Sequence, residues 1–241
     1  MTAPSSPNFD ARPAGQRVDM IVVHYTGMQD GAAALARLCD PAAKVSAHYL
    51  IDEDGSQHVL VPETQRAWHA GIASWQGATD INARSIGIEL VNPGHEWGYR
   101  PFQAAQMTRL LALIQGVVAR HHLPPDRILG HSDVAPLRKA DPGELFDWSL
   151  LARHGLGLWP SPDFRPSEHA PVLDPGSTGP AVIDLQLGLH TIGYGVEGSG
   201  LYDAATEAVV RAFQRHFRPG LVDGIADAET GSLIHHLAQR R

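Results

Sequence analysis

Residues 85–91 read Ser-Ile-Gly-Ile-Glu-Leu-Val. Branched apolar residues at every second position predict a β-strand. The alternation puts Ile86, Ile88 and Leu90 on one face and Gly87, Glu89 and Val91 on the other. A carboxylate in so apolar a strand has two readings. Either the strand lies at a sheet edge and Glu89 stands in water, or Glu89 is held in a site as a general base. Working outward, Met20–Tyr25 (MIVVHY) is a second buried strand, with His24 near its end. Ile128-Leu129-Gly130 is a short strand leading straight into His131. Ala47–Ile51 and Gln57–Val61 flank Asp54-Gly55, a turn pair that predicts a hairpin.

Helical spacing supplies the other layer. Met107, Leu110, Leu111, Ile114, Val117 and Val118 recur on one face of Pro101–His121. Gly31–Cys39 is rich in Ala and Leu, and Trp148–Leu151 opens a closing helix. Strands interleaved with helices predict an α/β fold, a mixed central sheet flanked by helices. The hairpin argues against a purely parallel sheet. Trp159–Pro175 is dense in proline, which is linker composition. Beyond it, Pro180–Ile192, Asp203–Phe217 and Ala228–Leu237 are patterned as three helices. The chain therefore divides into a domain at 1–158, a Pro-rich linker at 159–170 and a small three-helix domain at 171–241.

Composition narrows the function. The 241 residues are 43% hydrophobic, enough for a sizeable core, and the net charge is -7. No basic run marks a nucleic-acid partner, and no apolar stretch is long enough to cross a bilayer. Cys39 is the only cysteine, so internal disulfides and a thiolate zinc cage are excluded. It is expected to be buried filler. Fourteen histidines is a high count. His121, His122, His154, His235 and His236 have no supporting context and are expected to be structural or solvated.

Three residues far apart in the chain make a different case: His24, His131 and Asp141. Alone, each also fits an ordinary role, a core histidine or a turn aspartate before Pro142-Gly143. Together, two fall at strand ends and all lie beside Gly-bearing loops. Two imidazoles and a carboxylate make a three-ligand zinc site with an open fourth position. Near such a site Glu89 would accept a proton from water and return it to a leaving amine. Lys139, two residues before Asp141, is either a solvated lysine or an oxyanion stabiliser.

Several stretches, in order, carry a family resemblance: Ile21–Gly27 (IVVHYTG), Val45–Asp52 (VSAHYLID), Ala67–Gly71 (AWHAG), Asn82–Asn92 (NARSIGIELVN), Ile128–Pro136 (ILGHSDVAP) and Lys139–Gly143 (KADPG). Across 7–149 the chain resembles the zinc-dependent type-2 N-acetylmuramoyl-L-alanine amidases. These are related to phage lysozyme-amidases and animal peptidoglycan recognition proteins. The resemblance implies a Zn2+ cofactor held by His24, His131 and Asp141. It implies Glu89 as catalytic carboxylate and Lys139 as transition-state stabiliser. It places Trp68, His69 and His48 with the bound muropeptide. Some relatives carry a catalytic tyrosine just before the position of His48. Ala47 stands there in this chain, so Glu89 must carry the proton transfer. Binding-only relatives lack the third ligand, whereas Asp141 is present.

Leu173–Gly179 (LDPGSTG), Val182–Leu189 (VIDLQLGL), Gly193-Tyr194, Asp203–Gln214 (DAATEAVVRAFQ) and Val222–Thr230 (VDGIADAET) resemble a three-helix peptidoglycan-binding domain. Such a tether raises the local concentration of a polymeric substrate. The expected reaction is hydrolysis of the amide between N-acetylmuramic acid and L-alanine, in bacterial cell-wall degradation or muropeptide recycling. The rival readings are a recognition module that binds without cutting, a zinc peptidase cutting within the stem peptide, and a structural zinc protein. Met1–Arg12 lacks a basic n-region, an apolar core and a cleavage site, which points to the cytoplasm. A wall substrate points instead to the periplasm or outer envelope.

Overall fold

The computed structural model describes residues 5–167 and 170–241. Met1–Pro4, the start of the segment read for a leader, and Glu168 and His169, inside the predicted linker, lie outside the described residues. The strands are β1 (Phe9–Ala11), β2 (Met20–Tyr25), β3 (Tyr49–Ile51), β4 (Gln57–Val59), β5 (Gln65–Ala67), β6 (Ser85–Leu90) and β7 (Ile128–Gly130). The helices are α1 (Gly31–Cys39), α2 (Ile81–Arg84), α3 (Gly94–Trp97), α4 (Ala104–His121), α5 (His131–Val134), α6 (Trp148–Arg153), α7 (Pro180–Ile192), α8 (Ala204–Phe217) and α9 (Ala228–Ala238).

Five strands form one sheet in the order β4-β3-β6-β2-β7. β2 runs parallel to β6 and β7, and β3 runs parallel to β6. β4 is antiparallel to β3, so the hairpin makes the sheet mixed. The turn between them closes with Gly55 N–H donating to Asp52 O at 3.0 Å, and Gly55 has φ 86°. β6 lies in the middle of the sheet, which disposes of the edge-strand reading of Glu89. In register, His24 pairs with Glu89, and paired residues of a parallel ladder share a face.

The sheet has two unlike faces. Ile21, Val23, Ile86, Ile88 and Ile128 turn to one side, where Leu110, Ile114 and Val117 of α4 cover them. Each such side chain contributes about 1.5–3 kcal/mol on full burial. Gln106 of α4 is also buried and donates to Ile51 O and Val91 O, both at 3.0 Å, fastening the helix to the strand ends. On the opposite face, Leu50 and Val91 meet Leu38 of α1, with Cys39 partly buried beside them as filler. Met20, Val22 and Leu129 on that face start a second apolar cluster. It continues through Trp75 and Val134 to Leu189, Tyr194 and Phe213 of the C-terminal helices. The Pro-rich stretch therefore joins two units that share one core. Proline density reports missing helix and strand, and says nothing about contact between the flanking units.

Within the C-terminal helices one device occurs twice. Gln186 Nε2 donates to Leu201 O and Thr206 Oγ1, while its Oε1 accepts from Gly200 N–H. Gln214 does the same with Ile225 O and Gly224 N–H. Gly200 and Gly224 have φ of 76° and 75°, the left-handed region open to glycine. Asp203 and Asp227 then cap α8 and α9 by accepting from Thr206 and Thr230 N–H. The sequence reading did not foresee the two-stranded antiparallel ribbon of β1 and β5. Phe-Asp-Ala and Gln-Arg-Ala are three residues each, too short to carry a hydrophobic period.

Candidate active site and metal centre

β2 delivers His24 on the face away from α4, and β7 ends at Gly130 so that His131 begins α5. The Asp141 loop is tied back by its own backbone. Ser132 N–H donates to Asp141 O at 2.8 Å, and Tyr99 O–H donates to Pro142 O at 2.6 Å. All three side chains are buried. His24 Nδ1 lies 2.9 Å from His131 Nδ1 and 3.1 Å from Asp141 Oδ2, and His131 Nδ1 lies 3.0 Å from Asp141 Oδ2. Among the described residues this is the group of three that can hold a metal ion.

The surrounding hydrogen bonds fix the tautomers of the two neutral imidazoles. Ser85 O–H donates to Ile81 O at 2.7 Å, so Ser85 Oγ must accept from His69 Nε2 at 3.0 Å. A neutral His69 then has its lone pair on Nδ1, which accepts from His24 Nε2–H at 3.0 Å. His24 is left with a lone pair on Nδ1. His131 Nε2–H donates to Ala70 O at 3.0 Å, so the neutral tautomer of His131 likewise presents a lone pair on Nδ1. Burial lowers His24 to about 4, so it is neutral near pH 7. Burial opposes ionisation of Asp141, but positive charge drawn to the His131 and His24 nitrogens outweighs it and holds the carboxyl well below the usual range. With both imidazoles neutral, two lone pairs and a carboxylate oxygen converge on one point. Such a set is stabilised by a cation. Tetrahedral zinc with bonds of about 2.0–2.1 Å has ligand–ligand edges of about 3.3 Å, close to the triangle observed.

Glu89 stands beside the triangle on the neighbouring strand. Its Oε2 is buried without a hydrogen-bond partner among the described residues. Burial raises its pKa well above the carboxylate range, the charge of Asp141 adds to this, and Lys139 opposes it. A half-buried acid at a cleft, perturbed by both desolvation and a specific charge, marks a candidate functional site. Lys139 itself is exposed and borders the cleft over the triangle.

That cleft is about 830 Å³ and is also lined by Trp68, Trp97, Arg37 and Arg138. The Trp68 indole N–H donates to Asp10 at 2.7 Å, which fixes its ring. His69 borders the cleft but lies mainly behind His24, beneath Gly87, where any Cβ would strike its ring. Its hydrogen bonds give it the work of orienting His24. The structure does not bring His48 to the cleft. His48 is fully buried, accepts from Gly87 N–H at 2.9 Å and donates from Nε2 to Gln65 O at 3.1 Å. It joins the β5 segment to the central strand, and both of its nitrogens are spent on backbone. Trp97 and Arg138 escaped the sequence reading. An exposed Trp between two glycines, Gly94 and Gly98, was the available signal for the first. Arg138 donates to Ala70 O at 2.9 Å, the same carbonyl that orients His131, and nothing in the sequence announces that contact.

Comparison with known proteins decides the family. The model for N-acetylmuramoyl-L-alanine amidase matches residues 14–144, and the one for a peptidoglycan binding domain matches residues 178–234. The chain belongs to the N-acetylmuramoyl-L-alanine amidase family. His24, Glu89, His131, Lys139 and Asp141 all lie inside the matched amidase region. The N-acetylmuramoyl-L-alanine amidase AmiD of Escherichia coli is 39% identical over 95% of this chain and 86% of its own length. A structure of that amidase with anhydro-N-acetylmuramic acid-L-Ala-D-gamma-Glu-L-Lys superposes with a TM-score of 0.80, covering 95% of this chain and 92% of the other, at 37% identity. AmpDH3 of Pseudomonas aeruginosa, in complex with anhydromuramic pentapeptide, gives a TM-score of 0.78 at 30% identity, covering 95% of this chain and 94% of the other. This amidase therefore resembles both relatives across the catalytic region and the C-terminal helices together.

Proposed function

We propose that the chain is a zinc-dependent amidase. It would hydrolyse the bond between the lactyl group of N-acetylmuramic acid and the L-alanine of the stem peptide, in peptidoglycan or muropeptides. The observation that carries this is the buried triangle of two imidazole nitrogens and one carboxylate oxygen beside Glu89, whose Oε2 has no partner among the described residues. A nitrogen and oxygen donor set of this kind suits zinc, and three protein ligands are the mark of a catalytic site. Zinc there supplies Lewis-acid polarisation of the scissile carbonyl and brings the pKa of water towards about 7.

The remaining work falls to the side chains. Glu89 takes the proton of the attacking water and hands it to the leaving amine. Its raised pKa suits both halves of that transfer, and a cation beside Asp141 cancels part of the repulsion that raises it. Lys139, at the cleft rim, stabilises the developing oxyanion. Trp68 and Trp97 offer flat apolar surfaces to the sugar, and Arg37 and Arg138 offer cations to stem-peptide carboxylates. The relatives crystallised with anhydromuropeptides support muropeptides as the substrate class. The C-terminal helices would add avidity for the polymer.

Digestion of purified sacculi and of a soluble anhydromuropeptide, with and without chelator, tests the proposal. Mass spectrometry should show intact stem peptides with a free L-alanine amine. The reaction should stop with chelator and return with zinc. Cleavage inside the stem peptide would make the chain a peptidase, and binding without cleavage would make it a recognition protein. Either outcome overturns the reading.

A further inference from the structure

We propose that the C-terminal helices are a working part of the metal centre, and that Tyr194 and His216 act through Asp133 as positioning residues for His131. The inference rests on the reading of His131 as a metal ligand. Asp133 is 1% exposed and lies in α5, two residues after His131. It accepts three hydrogen bonds. Gly130 N–H reaches Oδ2 at 2.7 Å, Tyr194 O–H reaches Oδ1 at 2.7 Å, and His216 Nδ1 reaches Oδ2 at 2.8 Å. The first comes from the catalytic region, and the other two cross from the C-terminal unit, from the turn after α7 and from α8.

Both crossing donors are themselves held. The His216 ring stacks between Trp148, at 3.7 Å and 12°, and Phe217, at 4.1 Å and 13°. Its Nε2 is buried without a partner among the described residues, where Nδ1 is its one polar attachment. Tyr194 packs edge-on against Trp75 with ring centroids 5.0 Å apart. Glycine at 193 is required for that approach, because a Cβ there would meet the Trp75 ring.

The clamp matters because α5 cannot hold itself. Four residues are too few for a stable helix in isolation. β7 fixes the entry to α5 at Gly130, and the Asp133 clamp fixes its direction one turn later. His131 is the first residue of that turn, and ligand distances tolerate only about ±0.2 Å. A simple tether between a catalytic unit and a wall-binding unit needs no buried carboxylate at their junction. Burying one is costly unless every lone pair finds a donor, and here donors arrive from both units.

The test uses the full chain with Tyr194→Phe, His216→Phe and His216→Asn. The two phenylalanine variants keep an aromatic ring at each position and remove its donor. Asparagine keeps a donor nitrogen near the position of Nδ1 and removes the stack. Zinc affinity is read by competition with a chromogenic chelator, and kcat and KM on a soluble anhydromuropeptide. Sacculus pelleting and thermal unfolding of the metal-free protein complete the set. Both phenylalanine variants should lose zinc affinity by about 10–100-fold and lower kcat, with KM and pelleting unchanged. His216→Asn should lie nearer the parent than His216→Phe. A structural role alone would lower the unfolding midpoint and leave the affinity of the folded protein intact. Zinc affinity within about twofold of the parent in Tyr194→Phe, which removes one hydroxyl, overturns the inference even if His216→Phe fails to fold. Failure of the metal reading would show instead in the unmodified chain, as an amidase indifferent to zinc.

Discussion

Ile88 and Glu89 are chain neighbours on β6 and point to opposite faces of the sheet. Ile88 joins an apolar layer closed by α4, where each contact does the same work as the next. Glu89 joins a face shared by two histidines, an aspartate, a glycine that makes room for His69, and the underside of the C-terminal helices. The first face is redundant and tolerant. The second is specific, because each polar group there depends on one partner in one geometry. One strand thus supplies stability and chemistry with a period of two, and substitutions on its two faces should separate them.

The largest effect is expected at Glu89. Glu89→Gln keeps shape and removes the base, so kcat should fall by about 100- to 10,000-fold, the usual worth of a proton-transfer group. Zinc content and the unfolding midpoint should stay near the parent, since the carboxyl oxygen has no partner to lose. Metal analysis beside a turnover assay checks this. Near-normal turnover would remove Glu89 from the mechanism. Next comes its neighbour. Ile88→Ala should cost about 2–5 kcal/mol of stability by opening a cavity against α4. The kcat of the folded fraction and its zinc affinity should not change. Urea unfolding and active-site titration measure both. A kcat that falls in step with stability would show that the two faces are coupled and the contrast is wrong.

The same contrast explains what the sequence disclosed. The apolar face was legible because period alone identifies it. β2, β6, β7 and α4 emerged with boundaries within a few residues. The three metal-site residues were legible because His24 and His131 close strands and Asp141 sits in a Pro-Gly loop. The supporting shell was not legible. His48 and His69 stand in similar local settings, yet one is spent on backbone and the other orients His24. That distinction lives in hydrogen bonds to residues up to 45 positions away. His216 lay unremarked in the pattern of an amphipathic helix. The apolar face of α8 is the same in sequence whether it packs within its own unit or across to Trp148.

The smallest effect lies on the stable side and sharpens the contrast with pH. Glu63 accepts from Tyr49 O–H at 2.6 Å, from Arg120 at 2.6 Å and from His121 at 2.7 Å, joining β3 to the end of α4. Burial raises its pKa, but the hydrogen bonds from Arg120, Tyr49 and His121 prevail and bring it down to about 2. A carboxyl depressed in the folded state binds its proton more weakly there than in the unfolded chain. Its stabilisation is therefore complete above the unfolded value of about 4.3 and is lost as pH falls towards 2. Half of the Arg120 side chain stands in water, so screening limits the contribution to about 1 kcal/mol. Glu63→Gln should lower the unfolding midpoint at pH 7 and leave it nearly unchanged at pH 2. Zinc affinity and kcat at pH 7 should match the parent. A loss of stability equal at both pH values would mean that the cluster acts by packing rather than charge. A loss of zinc affinity would mean that α4, on the far side of the sheet, reaches the metal site after all.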